Sequence, residues 1–211
     1  MTRIIIADAQ ELVCEGLRAW FSVRNDLQVE AHACTGTDLL HLVKMHPVDI
    51  AMLDVSLPGL DGIDTVRELR RRDRNIRILA HSALAGIEYV NSMLIEGANG
   101  YVVKGGPKQE LFDAIDLVMH GGRYISPIAR DSVAQGYAHC DKHMDGEYLG
   151  LNRREREIIV LIAREHSNDE IGAALHISTE TVKTHRKNLM AKLNVRSVAG
   201  LVKYAQDRCW V

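Results

Sequence analysis

Aromatic residues are scarce in this 211-residue chain, at 5% of positions, which leaves little stacking surface for rings or bases. Proline occurs only four times, so neither a collagen-like repeat nor a polyproline segment can form. No apolar run exceeds six residues, the longest being Ile158 to Ala163, whereas a helical membrane span needs about 20. The run Ile4 to Ala7 is too short for the apolar core of a signal peptide, about 7 to 15 residues. These absences predict a cytoplasmic chain with no membrane attachment. The four cysteines, Cys14, Cys34, Cys140 and Cys209, lack paired spacing, which argues for free thiols rather than a disulfide framework.

What is present is an ordinary core-forming composition, 46% hydrophobic and 26% charged. The net charge of −2 conceals a division along the chain. Residues 1–126 carry 13 Lys+Arg against 17 Asp+Glu, whereas residues 149–211 carry 11 against 7. An acidic front joined to a basic tail predicts that the tail alone meets a polyanion.

The front half alternates short apolar runs with helical patterns. Arg3 to Ala7, Leu27 to Ala33, Val48 to Leu53, Ile76 to Ala80 and Gly100 to Val103 read as strands. Leu12 to Val23, Asp38 to His46, Ile63 to Arg72, Ile87 to Glu96 and Lys108 to His120 carry apolar residues at helical spacing. Strands apolar on both faces and separated by helices imply a doubly wound parallel sheet. Working sites of such sheets lie at the carboxyl ends of the strands, which selects Asp8, Asp54, Ser82 and Lys104, each following a different strand.

A carboxylate at a strand end can act as a nucleophile. Phosphoryl transfer to it needs a cation for the incoming charge, a second positive group and a hydroxyl that responds to the product. Lys104 and Ser82 supply the last two. A phosphatase of the haloacid dehalogenase type would need a second Asp two residues after Asp54; that position is Ser56, so an enzyme of this kind is not expected.

Residues 1–125 resemble the receiver domains of two-component response regulators. The resemblance rests on Asp8, on Asp54 in LDVSLPGLDG, on Ser82 followed by the small Ala83, and on GANGYVVK ending in Lys104. It implies that Asp54 is the phosphoacceptor, Lys104 the phosphoryl contact, Ser82 the switch hydroxyl and Tyr101 the aromatic that follows it. It also implies a Mg²⁺ site formed by Asp8, Asp54 and the backbone carbonyl of Ser56, with a sensor histidine kinase as phosphodonor. Family members usually carry two adjacent acidic residues after the first strand, where this chain has Asp8 and then Ala9. Loss of one anionic ligand weakens the metal site, and Glu11 in the same loop is a candidate to compensate. The alternative prompted by Ala9 is a regulator that binds DNA independently of phosphorylation. A small-molecule sensor like that of quorum-sensing regulators is opposed by the β/α repeats and by Asp54, Ser82 and Lys104.

Gly121, Gly122 and Pro127 stop the repeat, and residues 126–148 read as a linker. Beyond it, Asn152 to Glu155 and Ser167 to Glu170 fit capping boxes, and Ser178 offers a third N-cap. The helices read as Arg153 to Glu165, Asn168 to Leu175, Thr179 to Leu193 and Val198 to Asp207, with Asn194 suited to a left-handed closing position. The second and third have helix-turn-helix lengths, and the stretch from Ser178 to Arg196 carries Lys183, Arg186, Lys187, Lys192 and Arg196 against the single acid Glu180. Val182, Leu189 and Leu193 are expected to face the core.

The blocks LNRREREIIVLIA, SNDEIGAALHIS, TVKTHRKNL and KLNVRS make residues 149–211 similar to the LuxR-type (NarL/FixJ) DNA-binding domain. That similarity implies double-stranded DNA as ligand, with Lys183, Thr184 and Lys187 in the groove, His185 and Arg186 nearby, and Thr179 and Thr181 on phosphates. It also implies a homodimer on DNA and RNA polymerase as a partner. Gly200 stands where the family often has a glutamate that completes the cap with Ser197. The architecture expected is therefore a five-stranded doubly wound receiver domain followed by an all-α four-helix helix-turn-helix domain.

Three weaker signals have bland readings. His139, Cys140 and His143 are metal-ligand types without a second pair at zinc spacing. Cys209 reads as an ordinary thiol. The run Arg70, Arg71, Arg72, Arg74 and Arg77 reads as a solvated helix end and loop.

Overall fold

In the computed structural model, which describes residues 1–131, 151 and 153–211, the front half alternates strands and helices in strict sequence. The order is β1 (Thr2–Ala7), α1 (Glu11–Phe21), β2 (Leu27–Ala33), α2 (Gly36–Met45), β3 (Ile50–Leu53), α3 (Gly62–Arg72), β4 (Arg77–Ser82), α4 (Ile87–Ile95), β5 (Gly100–Val103), α5 (Lys108–Met119) and β6 (Tyr124–Ile125). Residues 127–131, at the start of the span expected as a linker, are also helical and are labelled α6. The chain divides into two compact units, Met1–His139 and Cys140–Val211.

All strand pairs are parallel, in the order β2-β1-β3-β4-β5-β6. Ile4, Ile5, Ile6 and Ala7 are buried on both faces of β1, as a sheet covered by helices requires. Ile4, Ile6, Ile50 and Met52 pack with Leu17, Phe21, Leu111, Phe112 and Ile115 of α1 and α5. Strand alternation turns Ile5, Ala51 and Leu53 to the opposite face, toward α2, α3 and α4.

The sheet has six strands, against the five expected. Tyr124 and Ile125 pair with Gly100 and Tyr101 after a turn in which Gly121 takes φ +85°. Two residues cannot display an alternating pattern, so this edge strand leaves no periodic trace in the sequence. Ser82, expected just beyond β4, is its last residue and pairs with Val103 of β5.

The arginine run is also less solvated than expected. Arg70 donates from Nε to the Gly97 carbonyl at 2.8 Å, from Nη1 to the Ile76 carbonyl at 2.6 Å and from Nη2 to Asn99 Oδ1 at 2.6 Å. Arg67 joins Asp64 at 2.8 Å and Glu96 at 2.5 Å, so α3 is tied to the end of α4. Arg71, Arg72 and Arg74 are exposed.

The second unit holds α7 (Arg153–Ala163), α8 (Asn168–Leu175), α9 (Thr179–Lys192) and α10 (Val198–Asp207). Ile158, Ile159, Ile171, Val182, Leu189, Leu193, Leu201 and Tyr204 form its buried interior. Ser167 and Glu170 make both bonds of the capping box, and Ser178 caps α9 through the Thr181 amide. Asn194 adopts φ +54°, the left-handed closure expected. Asn152 and the cluster His139, Cys140 and His143 lie outside the described residues. Gly200 packs where a Cβ would meet Val195 Cβ at 2.8 Å, so a glutamate there requires Val195 to move.

Two glycines of the first unit differ in what a side chain would meet. A Cβ on Gly62 would stand 2.1 Å from the Asp54 carbonyl oxygen, whereas one on Gly16 of α1 meets nothing within 4 Å. Gly62→Ala is therefore expected to destabilise the first unit by about 1 to 3 kcal/mol through overpacking. Gly16→Ala should stabilise it by about 0.5 to 1 kcal/mol, the cost of glycine in a helix interior. Urea unfolding of the two variants checks this, and equal midpoints would refute it.

Candidate functional site

The order of strands reverses between β1 and β3, since the chain runs first to one side of β1 and then to the other. This opens a crevice at the carboxyl ends of those two strands. Asp8 follows β1 and Asp54 follows β3, each still held in the ladder: the Asp8 amide donates to the Ala33 carbonyl and the Asp54 amide to that of Ala7. Both carboxylates are thereby fixed side by side, with Asp8 2% and Asp54 8% exposed.

Two buried carboxylates cannot share a site without compensating charge. Lys104, at the end of β5, places Nζ 2.6 Å from Asp8 Oδ2 and 2.6 Å from Asp54 Oδ2. Burial opposes its charge, yet Asp54 and Asp8 outweigh burial and hold the Lys104 ammonium above its ordinary pKa. The Ser82 hydroxyl donates to Asp54 Oδ1 at 2.5 Å, and the Ser56 amide donates to the same oxygen at 3.3 Å. Asp8 Oδ1 accepts from the Gln10 amide at 2.9 Å. The structure therefore brings Asp8, Asp54, Ser82 and Lys104 together as the strand-end pattern predicts.

Tyr101, in the middle of β5, is fully buried, and its hydroxyl donates to the Leu84 carbonyl. Burial pushes its phenol well above the ordinary range. Leu84 also donates its amide to Ser82 Oγ at 3.4 Å, so the loop after β4 links Tyr101 to the hydroxyl beside Asp54.

Whether these residues suit a hard divalent cation is testable on the donor set. Two oxygen-bearing carboxylates face one cation already, the Lys104 ammonium, so positive charge is accommodated between them. Magnesium is commonly held by one or two carboxylates together with water and phosphate oxygens, so Asp8 and Asp54 fit it. Ala9 and Glu11 are both exposed. Among the described residues no group of three His, Cys, Asp or Glu side chains converges.

His81 is a neighbour that the strand-end rule does not select. It lies one residue before Ser82 and points to the α1/α5 side with Leu79, two positions earlier on β4. Burial, reinforced by the Lys104 charge, lowers its pKa to about 4, so the imidazole is neutral at pH 7.

In the tail, the candidate groove residues separate into two groups. Lys183, Thr184 and Lys187 are exposed on one stripe of α9, and Asn188, four residues after Thr184, is exposed there as well. Asn188 was legible only through this spacing. Thr181 is exposed beside the Ser178 cap, its Oγ1 2.8 Å from Ser178 Oγ. Thr179 is half-buried and donates to Asp169 at 2.6 Å. His185 is half-buried. Arg186 donates to Asn168 Oδ1 and Lys192 meets Glu155 at 2.8 Å, so these two cations brace α9 against α8 and α7.

Comparison with known proteins agrees with this division of the chain. Residues 4–116 match the response regulator receiver domain, and residues 150–205 match the bacterial regulatory proteins of the luxR family. The chain is 34% identical over 209 residues to the uncharacterized transcriptional regulatory protein YhcZ of Bacillus subtilis, covering 96% of each. It is 22% identical, with a TM-score of 0.73 and 98% of each chain covered, to RcsB from Salmonella enterica serovar Typhimurium bound to a promoter in the presence of phosphomimetic BeF3−. A further solved structure, of two RcsB dimers bound to two parallel DNAs, aligns with a TM-score of 0.69, 21% identity and 98% of each chain covered. At these identities the solved structures speak for the fold.

The depressed pKa of His81 has a consequence for stability. The unfolded chain takes up a proton near pH 6.5 and the folded chain only near pH 4, so stability is complete above pH 6.5 and falls as pH drops through that window. Wild type should lose about 2 to 3 kcal/mol relative to His81→Leu between pH 7.5 and pH 4.5. Parallel denaturation curves for the two proteins across this range would refute the assignment.

Proposed function

Since the chain belongs to the bacterial response regulators that join a receiver domain to a luxR-family regulatory domain, we propose that Asp54 accepts a phosphoryl group from a sensor histidine kinase and thereby controls DNA binding. The family is one of transcription regulators rather than enzymes. The observation that carries the reading is the convergence of Asp54 with Lys104 and Ser82 at one sheet rim. For these tasks we assign residues 1–125 to the receiver, 126–148 to the connection and 149–211 to DNA.

An Asp54 carboxylate oxygen forms a bond to phosphorus as the phosphorus–nitrogen bond of the donor's phosphohistidine breaks, and the released imidazole nitrogen takes up a proton. Lys104 exchanges its contact with the free carboxylate for one with a phosphoryl oxygen, which neutralises charge as it gathers. The Ser82 hydroxyl follows the same oxygen set, and the loop to Leu84 and Tyr101 moves with it. Asp8, Asp54 and the backbone carbonyl of Ser56 would hold Mg²⁺, which supplies positive charge against the incoming phosphoryl group. With two carboxylates rather than three, this chain needs more Mg²⁺ than a receiver with the adjacent acidic pair.

On DNA, the exposed stripe of α9 enters the major groove. Lys183, Thr184 and Lys187 meet the duplex there, while Thr181 and Thr179 lie at the end of the helix nearest the phosphates. His185 and Arg186 flank the stripe, Arg186 chiefly as the brace to α8. Two such helices in a homodimer read half-sites about one helical turn apart, and RNA polymerase is the further partner at a promoter. No helix among the described residues is long and apolar enough to cross a membrane, and we assign the protein to the cytoplasm.

Incubation with acetyl phosphate and Mg²⁺ tests the switch. Intact mass should rise by one phosphate in wild type and not in Asp54→Ala, and DNA mobility shift should tighten only in the former. No phosphate at high Mg²⁺, or the same DNA affinity in both proteins, would overturn phosphorylation control.

A salt titration tests the interface. Lys183→Ala and Lys187→Ala should each reduce the slope of log affinity against log salt by about 1, with the fold unchanged. Arg186→Ala should instead lower the melting temperature of the tail, and an unchanged slope in both lysine variants would discard α9 as the phosphate-contacting helix.

A further inference from the structure

Behind Lys104, on the α1/α5 side of the sheet, lies a cavity of about 240 Å³ that opens to solvent beside the exposed Gly16 and Trp20. Val13 and Leu17 of α1, Val102 of β5 and Leu111 of α5 give it apolar walls, with Trp20 at its rim. Gly105 and Gly106, directly after Lys104, supply backbone on one side. The cavity owes its width to Gly16, which lines it and where a Cβ would meet nothing within 4 Å.

Apart from the Trp20 indole at the rim, one uncharged polar side chain faces this space. His81 is 9% exposed, lines the cavity and has no hydrogen-bond partner among the described residues. Its ring nitrogens are not sealed from solvent, so they can offer a hydrogen bond to an occupant of this space. Apolar walls with one convergent polar group and a perturbed titration are the usual marks of a small-molecule site.

The charge nearby limits what can enter. Lys104 lines the space, but its ammonium is already held by Asp8 and Asp54, and an anion would have to shed its water among apolar walls. Apolar walls disfavour a desolvated cation. An apolar cavity of about 150 Å³ holds a benzene, so this one admits one or two fused rings. We propose that the cavity is a binding site for a small uncharged aromatic molecule bearing one hydrogen-bonding group, such as a hydroxyl or ring N–H, directed at His81. The site does not depend on the role of Asp54.

Indole, toluene and benzoate titrated into the ¹⁵N-labelled full chain, followed by NMR, test the proposal. Indole should shift the amides of Gly16, Gly105 and Gly106 saturably. Benzoate should bind at least tenfold more weakly, and toluene severalfold more weakly. Gly16→Leu, or Gly16→Met should the branched chain unsettle α1, should abolish the shifts without lowering the melting temperature. His81→Leu should bind toluene and indole alike. No saturable shift up to the solubility limit of indole, an undiminished shift in both Gly16 variants, or benzoate binding as tightly as indole would overturn it. N-acetyl-tryptophanamide saturating these amides where indole does not would overturn it in favour of a partner protein's side chain.

Discussion

The ammonium of Lys104, shared between the carboxylates of Asp8 and Asp54, is the interaction on which the first unit turns. Parallel strands with a reversal of order place two strand ends side by side, and the chain puts an acid at each. Without a cation between them, two carboxylates this deeply buried would repel each other. The lysine has to come from β5, two strands from β3, so the ion contacts tie the far part of the sheet to its centre. The same contacts fix the Asp54 carboxylate at the rim. Ser82, from the strand between, completes the set by donating to the remaining oxygen.

This arrangement was legible because it obeys a rule of topology. Runs apolar on both faces predict a parallel sheet, and such a sheet places chemistry at its carboxyl ends, so Asp8, Asp54, Ser82 and Lys104 could be named from position. What escaped lacked either periodicity or a local partner. β6 is too short to alternate, and Arg70 looks like one more surface arginine until Gly97, Ile76 and Asn99 are brought beside it. His81 sits in an apolar run, where its neighbours disguise it as a core residue. Glu11 is near Asp8 in sequence, yet the start of α1 leaves it exposed.

The tail shows why a charge count overstates an interface. α9 and its continuation to Arg196 carry five basic residues, and pattern alone gives each the same standing. Packing divides them. Arg186 reaches back to Asn168 and Lys192 to Glu155, both contacts between helices that a helix-turn-helix must hold at a fixed angle. Lys183 and Lys187 remain on the open stripe, four residues apart, with Thr184 and Asn188 between and beyond them. Long-range partners decided the difference, and a helical wheel cannot supply them.

Each unit therefore carries its own interior and its own use of buried or exposed charge. In the first, a cation is consumed inside the fold to hold two acids; in the second, cations such as Arg186 and Lys192 hold helices together while Lys183 and Lys187 stay on the exposed face of α9. The loop from Lys104 to Gly106 belongs at once to the acid site and to the wall of the cavity under His81. A change on either side of that loop must be felt by the other, because one backbone segment carries both. Gly105 takes φ +92° in that segment, a conformation other residues adopt only under strain, so the loop has little freedom to separate the two. The sharing makes Lys104 the point at which a charge gained at Asp54 and an occupant beside His81 would compete for one backbone position.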